Sequence, residues 1–491
     1  MTWGAHLSGE LRLNESLIKK VKPASILVAG DVMVDEYVLG DVERISPESP
    51  VPVLVAKQRL RRLGGAGNVV RNLVSMGATV ALFATIGSDS AGQWFKKHCY
   101  EIGVDTFWLK TDRLRPTTVK TRVVARNQQI VRIDEENTGV ISQELEKTVI
   151  DEIKSVVPQV KAIIISDYGK GFLTQNVLQT LLSEARSENI PVLVDPKGMD
   201  FSRYQGASYI TPNVREASLA SGVDITDNLS MESAGKTLLK QTKADGIVLT
   251  RGREGISLIT PGGMEHFSVK PVEIVDVTGA GDTVISTIAL AVASGLSIQD
   301  AVQLANLAAS LVVARFGAAT VTLEEMIDSI KSESLQRKII SCSDLERTLR
   351  HHRIQGHSIV FTNGCYDLFH AGHLQLLKKA ASFGDILVVG VNSDKSVKRI
   401  KGEQRPIVPE TDRLSILSAL NFVDYVVAFD EDTPLELIKE VKPDVLVKGE
   451  DWKGKQVVGE KLVVERGGRV ELVKLLPGIS TTELIRKIKK S

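Results

Sequence analysis

At 491 residues the chain is too long for one ordinary domain. Its 61 Lys+Arg against 60 Asp+Glu leave a net charge of +1, which argues against a nucleic-acid or polyanion-binding surface; 43% apolar and 25% charged residues is a globular profile. No apolar run reaches the ~18 residues of a spanning helix, and Met1 to Lys20 lacks a signal peptide's apolar core. Cys99, Cys342 and Cys365 show neither CxxC nor zinc spacing, so reduced thiols and a cytoplasmic location are expected.

The first predicted element is the buried strand Ile26 to Ala29, ending in Gly30-Asp31, with a second carboxylate at Asp35. Val38 to Ala56 differs: Pro47, Pro50, Pro52 and alternating apolar positions predict a small β lid outside the main sheet. Gly64-Gly65-Ala66-Gly67-Asn68 then opens a helix over Val69 to Met76 and ends in an amide that can hydrogen-bond sugar hydroxyls. Further buried strands are predicted at Ile163 to Asp167, Pro191 to Asp195 and Gly246 to Thr250, alternating with helical periodicity, so this part reads as an α/β layered sheet. Asn213 and Glu216 fall between the last two. Their spacing puts both side chains on one helical face and also satisfies a capping box.

The strongest signal of this half is Asp276-Val277-Thr278-Gly279-Ala280-Gly281-Asp282-Thr283, followed by the Ala-rich helical run Ile285 to Ala293. The backbone N–H groups of Gly279 to Asp282 would sit at a helix N-terminus, an anion site, and Asp282 projects toward the same space. Such a turn can hold a phosphate and deprotonate an alcohol together. In order along the chain, Gly30-Asp31, Gly64 to Asn68, Asn213-X-X-Glu216 and the Asp276 to Thr283 box resemble the ribokinase-like carbohydrate kinases, over roughly residues 20 to 330. The resemblance implies Asp282 as catalytic base and Gly279, Ala280 and Gly281 as the anion hole for the transferring phosphoryl group. It further implies Asn213 and Glu216 as organisers of Mg²⁺ and ATP phosphate, and Asp31, Asp35, Gly65 and Asn68 as sugar-binding positions. In that family the lid covers the sugar and often makes a dimer contact, so a homodimer through the lid is expected.

Glu324 to His352 is polar, helical and charge-rich, and the reading is a kinase domain over 1–331, a linker over 332–356 and a second domain over 357–491. The adjacent His351 and His352 diverge on a helix and have no third ligand nearby. The second domain opens with the strand Ser358 to Thr362, the run Asn363 to His373 and a helix over Leu374 to Ala381. His370-X-Gly372-His373 at a strand-to-helix turn lets Gly372 admit a phosphate while two imidazoles contact a triphosphate under attack at its α-phosphorus. Val391 to Asp394, Lys401, Arg405, Pro409 to Arg413 and Gly478 to Glu483 follow in the order of the cytidylyltransferase-like nucleotidyltransferases, which this half resembles. Tyr366 stands where Phe is usual. Lys401, Ser480, Thr481 and Thr482 would bind the triphosphate, with Mg²⁺ expected at both centres.

A kinase followed by a nucleotidyltransferase suits consecutive steps, since a sugar 1-phosphate made by the first is a nucleophile for the second. The combination resembles the bifunctional heptose kinase/adenylyltransferases of bacterial lipopolysaccharide-core synthesis, with ATP and phosphorylated heptoses as substrates. A kinase/cytidylyltransferase fusion making another activated sugar or polyol uses the same two folds, and base choice rests on loop contacts. A riboflavin kinase/FAD synthetase lacks the Gly279 to Asp282 arrangement, and the intact Asp282 and His370-X-Gly-His373 argue against a non-catalytic sugar sensor. Arg122, Arg126, Arg132, Lys170 and Lys197 are the candidate partners of a second sugar phosphate.

Overall fold

The computed structural model describes residues 13–125, 128–269, 273–315 and 317–474. The chain divides into two compact units, Met1–Asp328 and Ser329–Ser491. Among the described residues no helix is long and apolar enough to cross a membrane.

The first unit is built on a nine-stranded sheet. Ser25–Gly30 lies inside it, parallel to Ala162–Ser166 on one side and Thr79–Gly87 on the other. Its run Ile26 to Gly30 is buried throughout, as a parallel strand covered on both faces requires. Val192–Asp195, Tyr209–Ile210 and Gly246–Thr250 continue the parallel set, and Ile256–Thr260 and Gly263–Phe267 close that edge as antiparallel strands. The parallel strands place the loops after Gly30, Ser166 and Asp195 along one rim of the sheet, where ligands of open α/β sheets bind.

The lid is larger than the predicted Val38 to Ala56. Val32–Ile45 and Pro52–Gly65 form a long antiparallel hairpin, and Thr118–Ala125 and Gln128–Glu135 add two more strands to a separate four-stranded sheet. The prolines mark only the far end of this hairpin. Its near end runs straight into the helix Ala66–Ser75, three residues earlier than the predicted Val69. Gly64 and Gly65 are needed there: a Cβ on Gly64 would lie 2.2 Å from Asp35 Oδ2, and Gly65 has φ +57°. Among the described residues, a 14-residue helix, Ala280–Ala293, is buried from Asp282 to Ala291 and packs on Ala66–Ser75 and on Ile298–Val313.

The second unit has a five-stranded, wholly parallel sheet in the order Tyr425–Phe429, Ile386–Asn392, Ile359–Gly364, Val445–Gly449, Arg469–Val473. Apolar residues of both faces are buried under helices, Leu377, Leu414 and Leu417 on one side and Leu437, Ile438 and Val463 on the other. The chain runs outward from Ile359–Gly364 first in one direction and then in the other, so the strand order reverses between Ile359–Gly364 and Val445–Gly449. The stretch 332–356 is not a free linker. Its helix Cys342–Ile354 places Leu345 and Leu349 fully buried in the second unit's core, because these leucines, one turn apart, form an apolar stripe on an otherwise polar helix.

Candidate active sites

In the first unit the Asp276 to Thr283 box forms the predicted turn and helix start. Gly279, with φ +82°, is the N-cap of Ala280–Ala293, and Asp282 lies in the first turn. Ala280 N–H donates to Val277 O (3.3 Å) and Thr283 N–H to Gly279 O (3.0 Å), whereas the N–H groups of Gly281 and Asp282 have no partner among the described residues. This end of the helix is free to receive an anion. Asp276 has a bracing function: its Oδ1 accepts from Thr278 N–H (2.9 Å) and Thr278 Oγ1 (2.7 Å), and its Oδ2 from Gly317 N–H (2.9 Å).

Asp282 is buried, and both its oxygens are held. Asn68 Nδ2 donates to Oδ2 (2.7 Å) and the Tyr168 hydroxyl to Oδ1 (3.1 Å). Burial pushes its carboxyl up to about 6 against the lowering effect of these two hydrogen bonds, with a further upward push from Asp35. The helices carrying Asn68 and Asp282 are tied together by Thr283 Oγ1 donating to Asn72 Oδ1 (2.9 Å) and Ser286 Oγ to Val69 O (3.2 Å). The Asp282 carboxylate therefore has a fixed geometry.

The other predicted sugar ligands are engaged by the protein itself. Asp31 Oδ2 accepts from the N–H groups of Tyr168 (3.0 Å) and Lys170 (2.9 Å), and Oδ1 from Phe172 (3.2 Å), so Asp31 shapes the loop that brings Tyr168 to Asp282. Burial nonetheless raises its pKa. Asp35 is buried and paired with Arg122 across the lid strands. Asn213 and Glu216 form a reciprocal capping box, Asn213 N–H to Glu216 Oε2 (3.0 Å) and Glu216 N–H to Asn213 Oδ1 (2.9 Å). Two residues escaped sequence reasoning here. Tyr168 is one; Asp195, at the end of its strand, is the other, its carboxyl raised well above the usual range by burial and then by Asp282 and Glu216.

Of the candidate cations, Arg122 pairs with Asp35, Arg132 with Asp134 and Lys170 with Glu136; Arg126 lies outside the described residues. Lys120, which the sequence did not single out, shares the lid face of Asp35 and Arg122 through the register Asp35↔Lys120, Tyr37↔Arg122. Burial lowers its pKa, with Asp134, Lys170 and Arg132 close by.

In the second unit His370 is the N-cap of the helix Ala371–Ala381, its Nδ1 accepting from His373 N–H (3.4 Å). The two imidazoles stack, with centroids 3.8 Å apart and planes at 14°. Burial, and then the neighbouring His370, bring His373 down to about 4, so its ring is neutral near pH 7, and its buried Nδ1 has no partner among the described residues. Tyr366 packs its ring against His373 (5.2 Å), in keeping with a packing role for this departure. Asp367 accepts from Ile407 and Val408 N–H (2.6 and 3.0 Å) and pairs with Arg405, which pins the basic loop. Arg413, fully buried, donates to Cys365 O (2.6 Å), Asn392 O (2.7 Å) and Asp394 (2.7 Å) and so ties together the loops that follow Ile359–Gly364 and Ile386–Asn392. Lys401 is exposed at the end of its helix, close enough to lower the Cys365 thiol's pKa, although burial raises it overall. Ser480, Thr481 and Thr482 lie outside the described residues.

A buried carboxylate at an open helix N-terminus in one α/β unit, and a histidine pair at a strand-to-helix turn in another, define a sugar kinase joined to a nucleotidyltransferase. Residues 24–326 match the pfkB family carbohydrate kinases and residues 361–487 the cytidylyltransferase-like family. In fold the first unit is similar to Arabidopsis thaliana ribokinase (TM-score 0.52, 18% identity, 63% of this chain and 99% of that one). It is similarly close to Escherichia coli phosphofructokinase-2 (TM-score 0.53, 18% identity, 64% and 99%). Over nearly its whole length the chain is 45% identical to the bifunctional protein HldE of Citrifermentans bemidjiense (98% of this chain, 100% of that one). It is 46% identical to that of Geobacter metallireducens (96% and 97%) and 44% to that of Wolinella succinogenes (95% and 98%). The chain belongs to the HldE family of bifunctional heptose 7-phosphate kinases and heptose 1-phosphate adenylyltransferases.

Proposed function

We propose that Met1–Asp328 phosphorylates D-glycero-D-manno-heptose 7-phosphate at C1, with Asp282 as the base, and that Ser329–Ser491 transfers AMP from ATP to heptose 1-phosphate. The observation that carries the kinase assignment is Asp282 itself, held at 2.7 and 3.1 Å by Asn68 and Tyr168 beside the N–H groups of Gly281 and Asp282, which have no partner among the described residues. The C1 hydroxyl gives its proton to Asp282, its oxygen attacks the γ-phosphorus, and ADP leaves; the turn Gly279 to Gly281 presents the N–H groups of Gly281 and Asp282 as the anion hole for the transferring group. In the second unit the sugar phosphate oxygen is already anionic and attacks the α-phosphorus, so no protein base is required and pyrophosphate leaves. His370, His373, Lys401 and Ser480 to Thr482 position and neutralise the triphosphate.

Among the described residues no group of three or more His, Cys, Asp or Glu could hold a metal ion. The donor set fits a Mg²⁺ that arrives on ATP and keeps much of its water, with Asn213, Glu216 and Asp195 as the neighbouring acidic and amide groups. Burial, and then the charges of Asp282 and Glu216, push the Asp195 carboxyl well above the usual range, and a cation beside it would oppose that rise. Bound Mg²⁺ supplies neutralisation of the ATP phosphates.

The lid face bearing Lys120, Arg122 and Arg132 is the best seat for the 7-phosphate. On the opposite face Val131 and Ile133 are exposed beside Val123 and Thr121, which supports a homodimer through the lid. A cytoplasmic location accords with ATP as substrate. Product analysis by mass spectrometry, with ATP and heptose 7-phosphate and separately with ATP and heptose 1-phosphate, tests both assignments. Absence of the 1,7-bisphosphate in the first reaction, or of ADP-heptose in the second, overturns the corresponding one.

A further inference from the structure

The point where the strand order of the second unit reverses lies between Ile359–Gly364 and Val445–Gly449, and in open α/β sheets ligands bind in the crevice outside the carboxyl ends at such a point. Two polar side chains meet there, Asn363 near the end of the first strand and Lys448 near the end of the second. Lys448 is only 7% exposed, and its ammonium donates to Asn363 Oδ1 and lies 5.6 Å above the Trp452 ring. It makes no ion pair among the described residues. The other cations of this rim differ: Arg405 is paired with Asp367, and Arg413 is spent on carbonyls and Asp394.

We infer that Lys448 binds a phosphate oxyanion of the adenylyl-transfer substrates, and that Asn363 holds its ammonium in place. A lysine this deep in a sheet costs free energy unless an anion compensates it, and the family reaction brings anions to this rim. Burial lowers its pKa to about 8, against an upward pull from Asp451 and Cys365, the ionisable groups that bear on it. A bound phosphate restores the charged form, so the unliganded enzyme loses this binding group as pH rises through about 8. The inference rests on the adenylyltransferase reading of this unit.

The oxyanion belongs either to the sugar 1-phosphate or to ATP, and steady-state pyrophosphate release by the full chain, with each substrate varied in turn, separates them. Lys448→Met is expected to raise KM for one of the two substrates, or to lower kcat/KM for it, by about 10- to 100-fold, the loss of one charge-assisted contact, and to leave C1 phosphorylation unchanged. The parent protein's kcat/KM for that substrate is expected to fall above about pH 8, and Lys448→Arg to keep part of the activity without that alkaline limb. Normal pyrophosphate release by a folded Lys448→Met protein overturns the inference. If that variant does not fold, a pH profile of the parent that is flat from neutrality to about pH 10, or an alkaline limb unmoved in Lys448→Arg, overturns it equally. A parent chain that releases no pyrophosphate from ATP and heptose 1-phosphate overturns the adenylyltransferase reading, and this inference with it.

Discussion

Asn68 Nδ2 stands 2.7 Å from Asp282 Oδ2, a hydrogen bond between residues 214 positions apart that joins the helix Ala66–Ser75 to the helix Ala280–Ala293. It opposes the burial of Asp282, which is the largest influence on that carboxyl and acts upward. A general base works only when unprotonated. C1 phosphorylation should therefore lose rate below about pH 6, falling roughly tenfold per pH unit, while adenylyl transfer lacks this limb. Replacing Asn68 by Leu removes a contact that favours the carboxylate, so the limb should move to higher pH; a pH–rate profile of ADP release measures it.

Asp282→Asn should lower C1 phosphorylation by at least ~10²-fold and spare adenylyl transfer, since the lost base belongs to one centre. Coupled assays of ADP and of pyrophosphate on the same preparation read the two separately. Near-normal kinase turnover would remove Asp282 from its role.

Gly279→Ala probes the turn itself. Gly279 has φ +82°, and an added Cβ would lie 2.5 Å from Asn68 Nδ2. The substitution forces an L-residue into the left-handed region, at about 1–2 kcal/mol, and pushes the amide that orients the base. A displacement of that kind can cost on the order of 10²-fold in rate, so kinase kcat should fall far more than thermal stability. A variant that melts as the parent does and turns over at the parental rate would contradict the close approach.

The kinase centre is legible in the sequence where its groups are contiguous. Asp276 to Asp282 supplies the turn, the helix start and the carboxylate from seven successive positions, and the structure assembles them as the spacing predicts. Tyr168 is not legible, because it reaches Asp282 from 114 positions away, on a loop whose path is set by Asp31. Asp31 itself illustrates the limit: its place after a strand is readable, but not that its oxygens accept three backbone N–H groups. The lid shows the same pattern, since proline marks its tip while the pairing of Val32–Ile45 with Thr118–Ala125 is a long-range event. In the second unit His370 and His373 are adjacent enough to read, whereas Lys448 gains its character only from burial beside Asn363.

The boundary between the units gives a sharper test than the polar composition of 332–356 suggests. Ile340 N–H donates to Val426 O (3.0 Å), Lys338 Nζ to Leu420 O (3.1 Å), and Leu345 and Leu349 are fully buried in the second unit. We expect a piece beginning at Ser329 to fold and to release pyrophosphate from ATP and heptose 1-phosphate. A piece beginning at His357 loses both leucines, each worth roughly 2–5 kcal/mol, out of a domain stability of about 5–15 kcal/mol, and should be unfolded or nearly so. Circular dichroism and thermal melting distinguish the two; equal stability would contradict the packing of Cys342–Ile354 in this core.

His373→Ala should abolish formation of ADP-heptose and leave the kinase step unaltered. The imidazole is wedged against Tyr366 and stacked on His370, and burial keeps it neutral near pH 7, with its pKa at about 4. A neutral ring still carries one N–H, and the helix start beside Gly372 fixes where a phosphate sits, so His373 can donate as the α-phosphorus becomes five-coordinate. Losing one such donor typically costs about 10²- to 10³-fold in rate. The ring also fills space, so His373→Asn, which keeps a side-chain donor, serves beside the alanine variant. If the donor matters, pyrophosphate release should be lower in His373→Ala than in His373→Asn at matched melting temperature. A folded His373→Ala protein that releases pyrophosphate at the parental rate would return this histidine to a purely packing role.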